Sequence, residues 1–320
     1  MTDHGEGETV TDLRVFRRGA DGREVELRGS TVRRERDLQR RVEAGLEEML
    51  GIRLVASEYA TGRWHRGRVD TLGLDENNAP VVIEFKRGVD AGVVTQAMFY
   101  VAWLKSARLE FEALVRERLG EKAAAAVDWR RPRAVCVAAG FSNHDRVMVQ
   151  ERREPVDLVR YRVFDDGGEG LLALHLVDSV SWVAAADEVE QPASERIAEV
   201  AAEVAAGVPG VVAVPECLRE LYGEVDEALC AWGEVEVVPL RHYIAYRRMR
   251  NLGSVVFRPS LGQVLVTLRL DPDTVELEEG FTRDLRGIGH LGTGDLEVKV
   301  SSVEDVERAA PLFRRAFEAA

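Results

Sequence analysis

The sequence predicts a mixed α/β N-terminal domain followed by a smaller α+β domain. Three observations carry this reading. The chain has 320 residues, of which 46% are hydrophobic and 31% charged, enough to build two cores at about 100–200 residues per domain. The N-terminal half alternates helical and strand-like patterns around a central hairpin, the signature of a mixed sheet flanked by helices. An acidic, alanine-rich stretch then interrupts the pattern. The predicted organisation is a tail and short hairpin over 1–30, an α/β domain over 31–178, an acidic linker over 179–205 and an α+β domain over 206–320.

The elements follow in order. LRVFRRG and REVELRG, around Asp21-Gly22, predict two short strands. TVRRERDLQRRVEAGLEEML predicts one amphipathic helix over 31–50, because Leu38, Val42, Leu46 and Met49 share a face and Gly51 ends it. IRLVASEYA is a strand. GRVDTLGLDENNAPVVIEFKRG reads as strand, turn at Asp75–Asn78, strand. The stretch from Val93 to Gly120 predicts two helices meeting near Ser106. RAVCVAAGF is an apolar strand suited to a sheet interior. NHDRVMVQERRE predicts a helix, and VDLVRYRVF and GLLALHLV two strands. Beyond the linker, where Ile197–Ala206 is a candidate helix, PECLRELYGEVDEALCAWG and LRHYIAYRRMRN predict helices. SVVFRP and GQVLVTLRL are strands turning at Pro259–Gly262, LEVKVSS is a strand, and VEDVERAAPLFRRAFEA a closing helix.

Charge is unevenly spread. The net charge is -13, yet residues 181–236 alone hold 13 acidic and two basic residues. Residues 28–70 hold ten arginines against seven acids, so an acidic protein presents a basic N-terminal stretch that can meet phosphates. No apolar run approaches the length of a membrane span, and the N-terminus lacks the apolar core of a signal peptide. Three separated cysteines, Cys136, Cys217 and Cys230, form no metal-ligand spacing and suit a reducing compartment. The expected location is cytoplasmic, with no membrane partner.

One constellation carries chemistry. Asp70 lies on the first strand of the central hairpin, and Glu84 and Lys86 lie two apart on the second, sharing a face. Pairing around Asp75–Asn78 brings Asp70 beside Glu84. Two carboxylates on adjacent strands make an oxygen-rich site suited to Mg²⁺ or Mn²⁺. Lys86 is conspicuous because only four of the 43 basic residues are lysines. Beside a metal, a lysine can orient an attacking water or balance charge developing on phosphate. In the second half, the glycine-dense GIGHLGTGD, with Arg283, Arg286 and His290, is either a loop offering N–H groups to an anion or a plain turn. Tyr243 and Tyr246, interleaved with Arg247, Arg248 and Arg250, are either a nucleic-acid surface or core residues at helical spacing.

Val69-Asp70 with Glu84-Phe85-Lys86 resembles the PD-(D/E)XK nuclease superfamily, and the stretch from about 31 to 120 looks like its RecB/NucS-like branch. Asp70 lacks the preceding proline. The resemblance implies a restriction-endonuclease-like fold in which Asp70, Glu84, Glu35 (or Glu43) and the Phe85 carbonyl hold Mg²⁺ or Mn²⁺. It implies that Lys86 positions water and that Gln96, on the following helix, orients Lys86 or the scissile phosphate. Arg68, Arg87, Arg247 and Arg248 are the candidate phosphate contacts. The implied activity is hydrolysis of nucleic-acid phosphodiester bonds, DNA ahead of RNA; a homodimer is allowed, since related nucleases pair to cut two strands. The alternative is a catalytically silent protein that keeps the fold for binding or as a scaffold. Residues 205–318 resemble a small domain of unknown function found in proteins labelled predicted transport proteins, a label this sequence does not support.

Overall fold

The computed structural model describes residues 13–90, 92–152, 155–168, 170–179, 215–240 and 242–320. The expected linker at 179–205 and the candidate helix Ile197–Ala206 lie outside the described residues, Ser179 excepted, which ends a strand. Two β-sheets are present, each with its own apolar core.

The first sheet has eight strands: β1 (Val15–Arg18), β2 (Glu24–Ser30), β3 (Ile52–Ala60), β4 (Arg68–Asp75), β5 (Pro80–Val89), β6 (Arg133–Gly140), β7 (Val156–Asp165) and β8 (Leu171–Ser179). Their order is β1-β2-β7-β6-β5-β4-β3, with β8 on β7. β5–β6 and β6–β7 pair in parallel and the other neighbours antiparallel, so the sheet is mixed. The parallel pairs need crossovers. The first crossover contains α4 (Val93–Ser106), α5 (Arg108–Leu119) and α6 (Glu121–Ala125), and the second α7 (Asn143–Arg152). The helix expected over 31–50 is two, α1 (Glu35–Ala44) and α2 (Leu46–Leu50), broken at Gly45. A short α3 spans Gly62–His65.

Alternation along β5 sorts its residues between two cores. Val81, Ile83 and Phe85 join α1 and α2 residues Leu38, Val42, Leu46 and Leu50, whereas Val82 joins Val94, Ala97 and Val101 of α4. Helices therefore cover both faces, as a sheet with buried parallel strands requires. The N-terminal hairpin is no separate appendage: β2 pairs with the end of β7 beyond the reach of β6.

The second sheet runs β13-β14-β12-β11-β10-β9, wholly antiparallel. Its strands are β9 (Glu236–Pro239), β10 (Ile244–Arg247), β11 (Asn251–Arg258), β12 (Gln263–Leu268), β13 (Thr282–Asp284) and β14 (Leu296–Val300). Two helices, α8 (Glu216–Cys230) and α9 (Val303–Ala319), bury Leu221, Val225, Leu229, Phe313 and Ala316 against one face. This smaller region is sheet-rich with helices on one side. The segment LRHYIAYRRMRN is not a helix: it forms β10 and the turn into β11. Ile244 and Tyr246 point into the helix-side core and Ala245 into a small cluster on the other face, so no polar alternation shows in the sequence.

Buried charge joins the two sheets. Arg133 of β6 donates to Asp157 of β7 (2.6 Å) and to Asp75 (3.2 Å). Arg247 of β10 donates to the same Asp157 (2.8 Å) and to Glu236 (2.6 Å). Burial by itself raises the Asp157 carboxyl, but Arg247 and Arg133 hold it below the usual carboxylate range. Beside this network the Asp75–Asn78 turn makes polar contacts with β11. Asn77 and Asn251 exchange side-chain hydrogen bonds (2.8 and 3.3 Å), the Asn251 N–H donates to Glu76 (2.6 Å), and Arg269 pairs with Glu76.

Removing one member of a buried charge network strands the others, at about 3–5 kcal/mol. Arg247→Met is expected to lower unfolding stability by that amount in urea titration. Arg116→Ala, which breaks the exposed pair with Glu121, is expected to leave it unchanged within the error of the titration.

Candidate active site

The site is built at the open end of the β4–β5 hairpin. The register Thr71↔Ile83 and Leu72↔Val82 sets Asp70 opposite Glu84. Two side chains continue the pairing there: Asp70 Oδ2 accepts the Phe85 N–H (2.9 Å), and the Asp70 N–H donates to Glu84 Oε1 (3.4 Å). Each carboxylate thus bonds the opposite strand.

Glu84 is fully buried, and its Oε2 has no hydrogen-bond partner. Burial, and after it the Asp70 carboxylate, pushes its pKa up to about 9. Asp70 is half-buried and is also raised, by burial first, with the Phe85 N–H and Lys86 working against the shift. A buried carboxylate without a partner costs stability in any protein. Here two stand side by side on a rigid hairpin.

Lys86 emerges at the rim, on the face shared with Glu84, and its Nζ lies 3.8 Å from Glu35 Oε1. Glu35 opens α1 and also accepts the Arg87 N–H (3.0 Å). Its carboxylate therefore orients the lysine strand, and its charge adds to the upward push on Asp70. Glu43, the other candidate, accepts from Thr71, Ser57 (3.1 Å) and Gln39 (3.1 Å). Gln39 in turn donates to the Asp70 carbonyl (2.8 Å), so this network braces β4 from the α1 side. Gln96 is half-buried in the first turns of α4, which packs over β5, and no hydrogen bond links its side chain to Asp70, Glu84 or Lys86 among the described residues. Phe85 contributes its backbone, since its ring is fully buried in the α1-side core.

Of the four arginines, Arg68 and Arg87 are exposed beside the site. Arg68 pairs with Glu58 (3.2 Å) and Arg87 donates to the Arg33 carbonyl (3.3 Å). Arg247 is not a surface contact, and Arg248 is half-buried. Arg247 is buried in the charge network, and Arg248 stacks over the Phe317 ring at 4.1 Å and donates to its carbonyl (3.2 Å). Tyr246 is likewise core, its hydroxyl donating to Asp226 (2.7 Å).

Two further residues belong to the site. Glu58 lies opposite Asp70 between the pairs Ser57↔Thr71 and Tyr59↔Val69, and its φ of 54° is left-handed, a strained conformation for glutamate. Its charge adds to the upward push on Asp70. Tyr100 of α4 accepts the Arg68 N–H (3.2 Å) at the start of β4. Glu58 carries no sequence signal, since only the β3–β4 register brings it near Asp70. Tyr100 stands one turn beyond Gln96, and that helical spacing was available in the sequence.

Among the described residues no group of three or more His, Cys, Asp or Glu side chains converges to hold a metal ion. Asp70 and Glu84 face each other across the hairpin, and Glu84 Oε2 has no hydrogen-bond partner. That donor set fits Mg²⁺ or Mn²⁺, since Mg²⁺ is commonly held by one or two carboxylates with water completing the shell.

The raised Glu84 pKa fixes a sign. Between its unfolded value near 4.5 and about 9, the folded state binds a proton that the unfolded state has lost, so metal-free stability falls as pH rises across that window. Glu84→Gln is expected to be more stable than wild type at pH 8 in EDTA, with the gain shrinking toward pH 5. Thermal unfolding across pH measures it, and a pH-independent difference would show Glu84 to be ionised in the fold.

No family model matches the chain. An uncharacterised protein of Haemophilus influenzae is 22% identical over 304 residues, spanning 93% of this chain and 97% of that protein. A solved structure of an EndoMS complex with double-stranded DNA is matched at 21% identity and a TM-score of 0.25, covering 39% of this chain and 44% of that one. This chain thus spans less than half of that structure's length. Among the described residues no helix is long and apolar enough to cross a membrane.

Proposed function

We propose that the chain is a metal-dependent nuclease of the PD-(D/E)XK type that hydrolyses phosphodiester bonds, with DNA the favoured substrate. One observation carries the reading: Asp70 and the buried, half-unpartnered Glu84 meet across the β4–β5 hairpin, with Lys86 on the same face at the rim.

Asp70 and Glu84 would hold Mg²⁺ or Mn²⁺, with the Phe85 carbonyl as a third oxygen. When bound, the cation supplies positive charge to a phosphate oxygen and to an attacking water. The remaining roles fall to this chain's own groups. Burial of Glu84 excludes competing water from the inner side of the site. Lys86 Nζ holds the attacking water or balances charge on the non-bridging phosphate oxygens, and Glu35 fixes its direction. Arg68 and Arg87, exposed on either side, contact flanking phosphates, and exposed Arg33, Arg34 and Arg36 extend the basic surface along the start of α1. Gln96 approaches from α4 once substrate is bound. Arg247 and Arg248 have no part in this surface.

The silent scaffold is the second reading, and the Lys86–Glu35 pair favours it, together with the lack among the described residues of a third converging side-chain ligand. Incubation with Mn²⁺ or Mg²⁺ and labelled single-stranded, double-stranded, forked and mismatched DNA and RNA separates the two. Wild type is expected to cleave, EDTA to abolish cleavage, and Lys86→Ala or Asp70→Asn to slow it by about 10²–10³-fold. Equal cleavage by wild type and Lys86→Ala sinks the assignment, and binding without cleavage favours the scaffold.

A further inference from the structure

The strand pairing carries the line of Lys86 across the first sheet. Lys86 pairs with Ala138 of β6, Ala138 with Arg160 of β7, and Arg160 with His175 of β8. Residues two apart on a strand share a face. Val82, Glu84 and Lys86 therefore point to the α4 side, and so do Leu158, Arg160 and Arg162, since Val82 and Leu158 both join the α4-side core. Arg160 stands two strands from Lys86, about 10 Å across the sheet. Ala138 between them is buried and offers only a methyl group.

At this end of β7 positive charge goes unanswered. Arg160 is half-buried, its Nε is shielded from solvent without an acceptor, and its side chain makes no hydrogen bond or ion pair among the described residues. Arg162, also half-buried, donates to the Ala139 carbonyl and to the Tyr161 carbonyl (2.8 Å), and it too has no ion pair among the described residues. Burial, and after it the charge of Arg160, holds the Arg162 guanidinium below its ordinary range. The residues opposite the two arginines on β8 are His175 and Ala173. The acids of this side are spent elsewhere. Asp178 accepts from Gln150 (3.0 Å) and pairs with Arg146 (3.6 Å), while Asp145 Oδ2 accepts from Ser142 (2.7 Å) and its Oδ1 bonds neither arginine. Other arginines differ: Asp157, on the same strand, answers Arg133 and Arg247, and Arg286, beside the glycine-dense stretch, is committed to Asp273 and Asp284.

Two like charges held half out of water without a counter-charge cost stability. Arg162 has a structural reason to be there, because it satisfies two carbonyls where the β6–β7 ladder ends. Arg160 has none. The missing party is an anion. Adjacent guanidinium groups suit phosphate, whose oxygens accept their planar forks. A cation is repelled, and a neutral ligand leaves both charges as they were. Lys86, on the same line, points to a phosphate that belongs to the substrate.

We infer that Arg160 and Arg162 hold a backbone phosphate of the nucleic-acid strand bound at Asp70 and Glu84, so that the strand runs from the β4–β5 hairpin over β6 to β7. The inference rests on the nuclease reading for the identity of the substrate, and on none of its chemistry. Arg68, on β4, lies on the opposite side of the site, so the strand is gripped on both sides of Lys86. Phosphate contacts position a strand without reading it. The pair therefore sets affinity and path, not base preference.

Fluorescence anisotropy of the full chain with a labelled single-stranded DNA tests it, across a salt series in EDTA and again in Ca²⁺. Each phosphate contact to a single strand contributes about 0.7 to the slope of log K against log salt. Arg160→Gln is expected to reduce the slope by about 0.7 and to weaken binding about tenfold at low salt, and Arg160→Gln/Arg162→Gln to reduce the slope further. Arg160 makes no hydrogen bond to lose, so the single variant still reports if the double variant melts early. Arg116→Gln/Arg314→Gln removes two charges from exposed pairs elsewhere and is expected to leave the slope within error. Slopes unchanged in both Arg160 variants, an equal fall in the control, inorganic phosphate binding as tightly as the strand, or no binding in either medium overturns the inference. The cleavage assay reports separately. Binding that depends on Arg160 without cleavage keeps the strand path and removes the nuclease reading, and cleavage with unchanged slopes in both Arg160 variants does the reverse.

Discussion

The rest of the molecule depends on the pairing of β4 with β5. Its register sets Asp70 against Glu84 at the open end, and its turn at Asp75–Asn78 meets β11 at the other. A slip of one residue would turn Glu84 and Lys86 to the α1 side and Ile83 and Phe85 to the other. Apolar packing prevents it: Val81, Ile83 and Phe85 are locked against α1 and α2, and Val82 against α4. The hairpin core thus supplies the stability that permits two unfavourable carboxylates at its end. Asp70 and Glu84 bond the opposite backbone where the regular ladder stops, so the two carboxylates are seated on sheet geometry and not on a loop.

The helices divide the labour around that hairpin. The α1 side contributes Glu35 to the lysine strand and the Gln39–Glu43–Thr71 network to β4. The α4 side contributes the apolar cover and Tyr100, which secures the start of β4. Tyr161 of β7 donates to the Arg87 carbonyl (2.7 Å), so a third strand steadies the segment just beyond Lys86. These contacts hold backbone as much as side chain, so the fold itself sets where Asp70, Glu84 and Lys86 stand.

How much of this the sequence disclosed follows from range. Asp70, Glu84 and Lys86 were legible because a tight turn makes their neighbourhood local. So were the crossover helices and the apolar β6, each marked by its own periodicity or apolar run. Glu58 was not, because its place follows from the β3–β4 register and a left-handed backbone angle. LRHYIAYRRMRN misled because tyrosines three apart mimic a helix face, whereas both faces of β10 are buried. The same distance effect hid the roles of Arg247 and Asn77, whose partners lie 90 and 174 positions away. An arginine in a basic run looks like surface until its acid is found.

The charge network between the sheets also constrains how such a chain can diverge. Asp75, Arg133 and Asp157 of the first sheet share one buried region with Arg247 and Glu236 of the second. Losing either arginine leaves buried carboxylates without their counter-charge, whereas exchanging the whole group for apolar residues need not. These positions are therefore expected to change together. A descendant that has lost one is expected to have lost them all, and a recombinant joining the first half of one lineage to the second half of another inherits a mismatch at its centre.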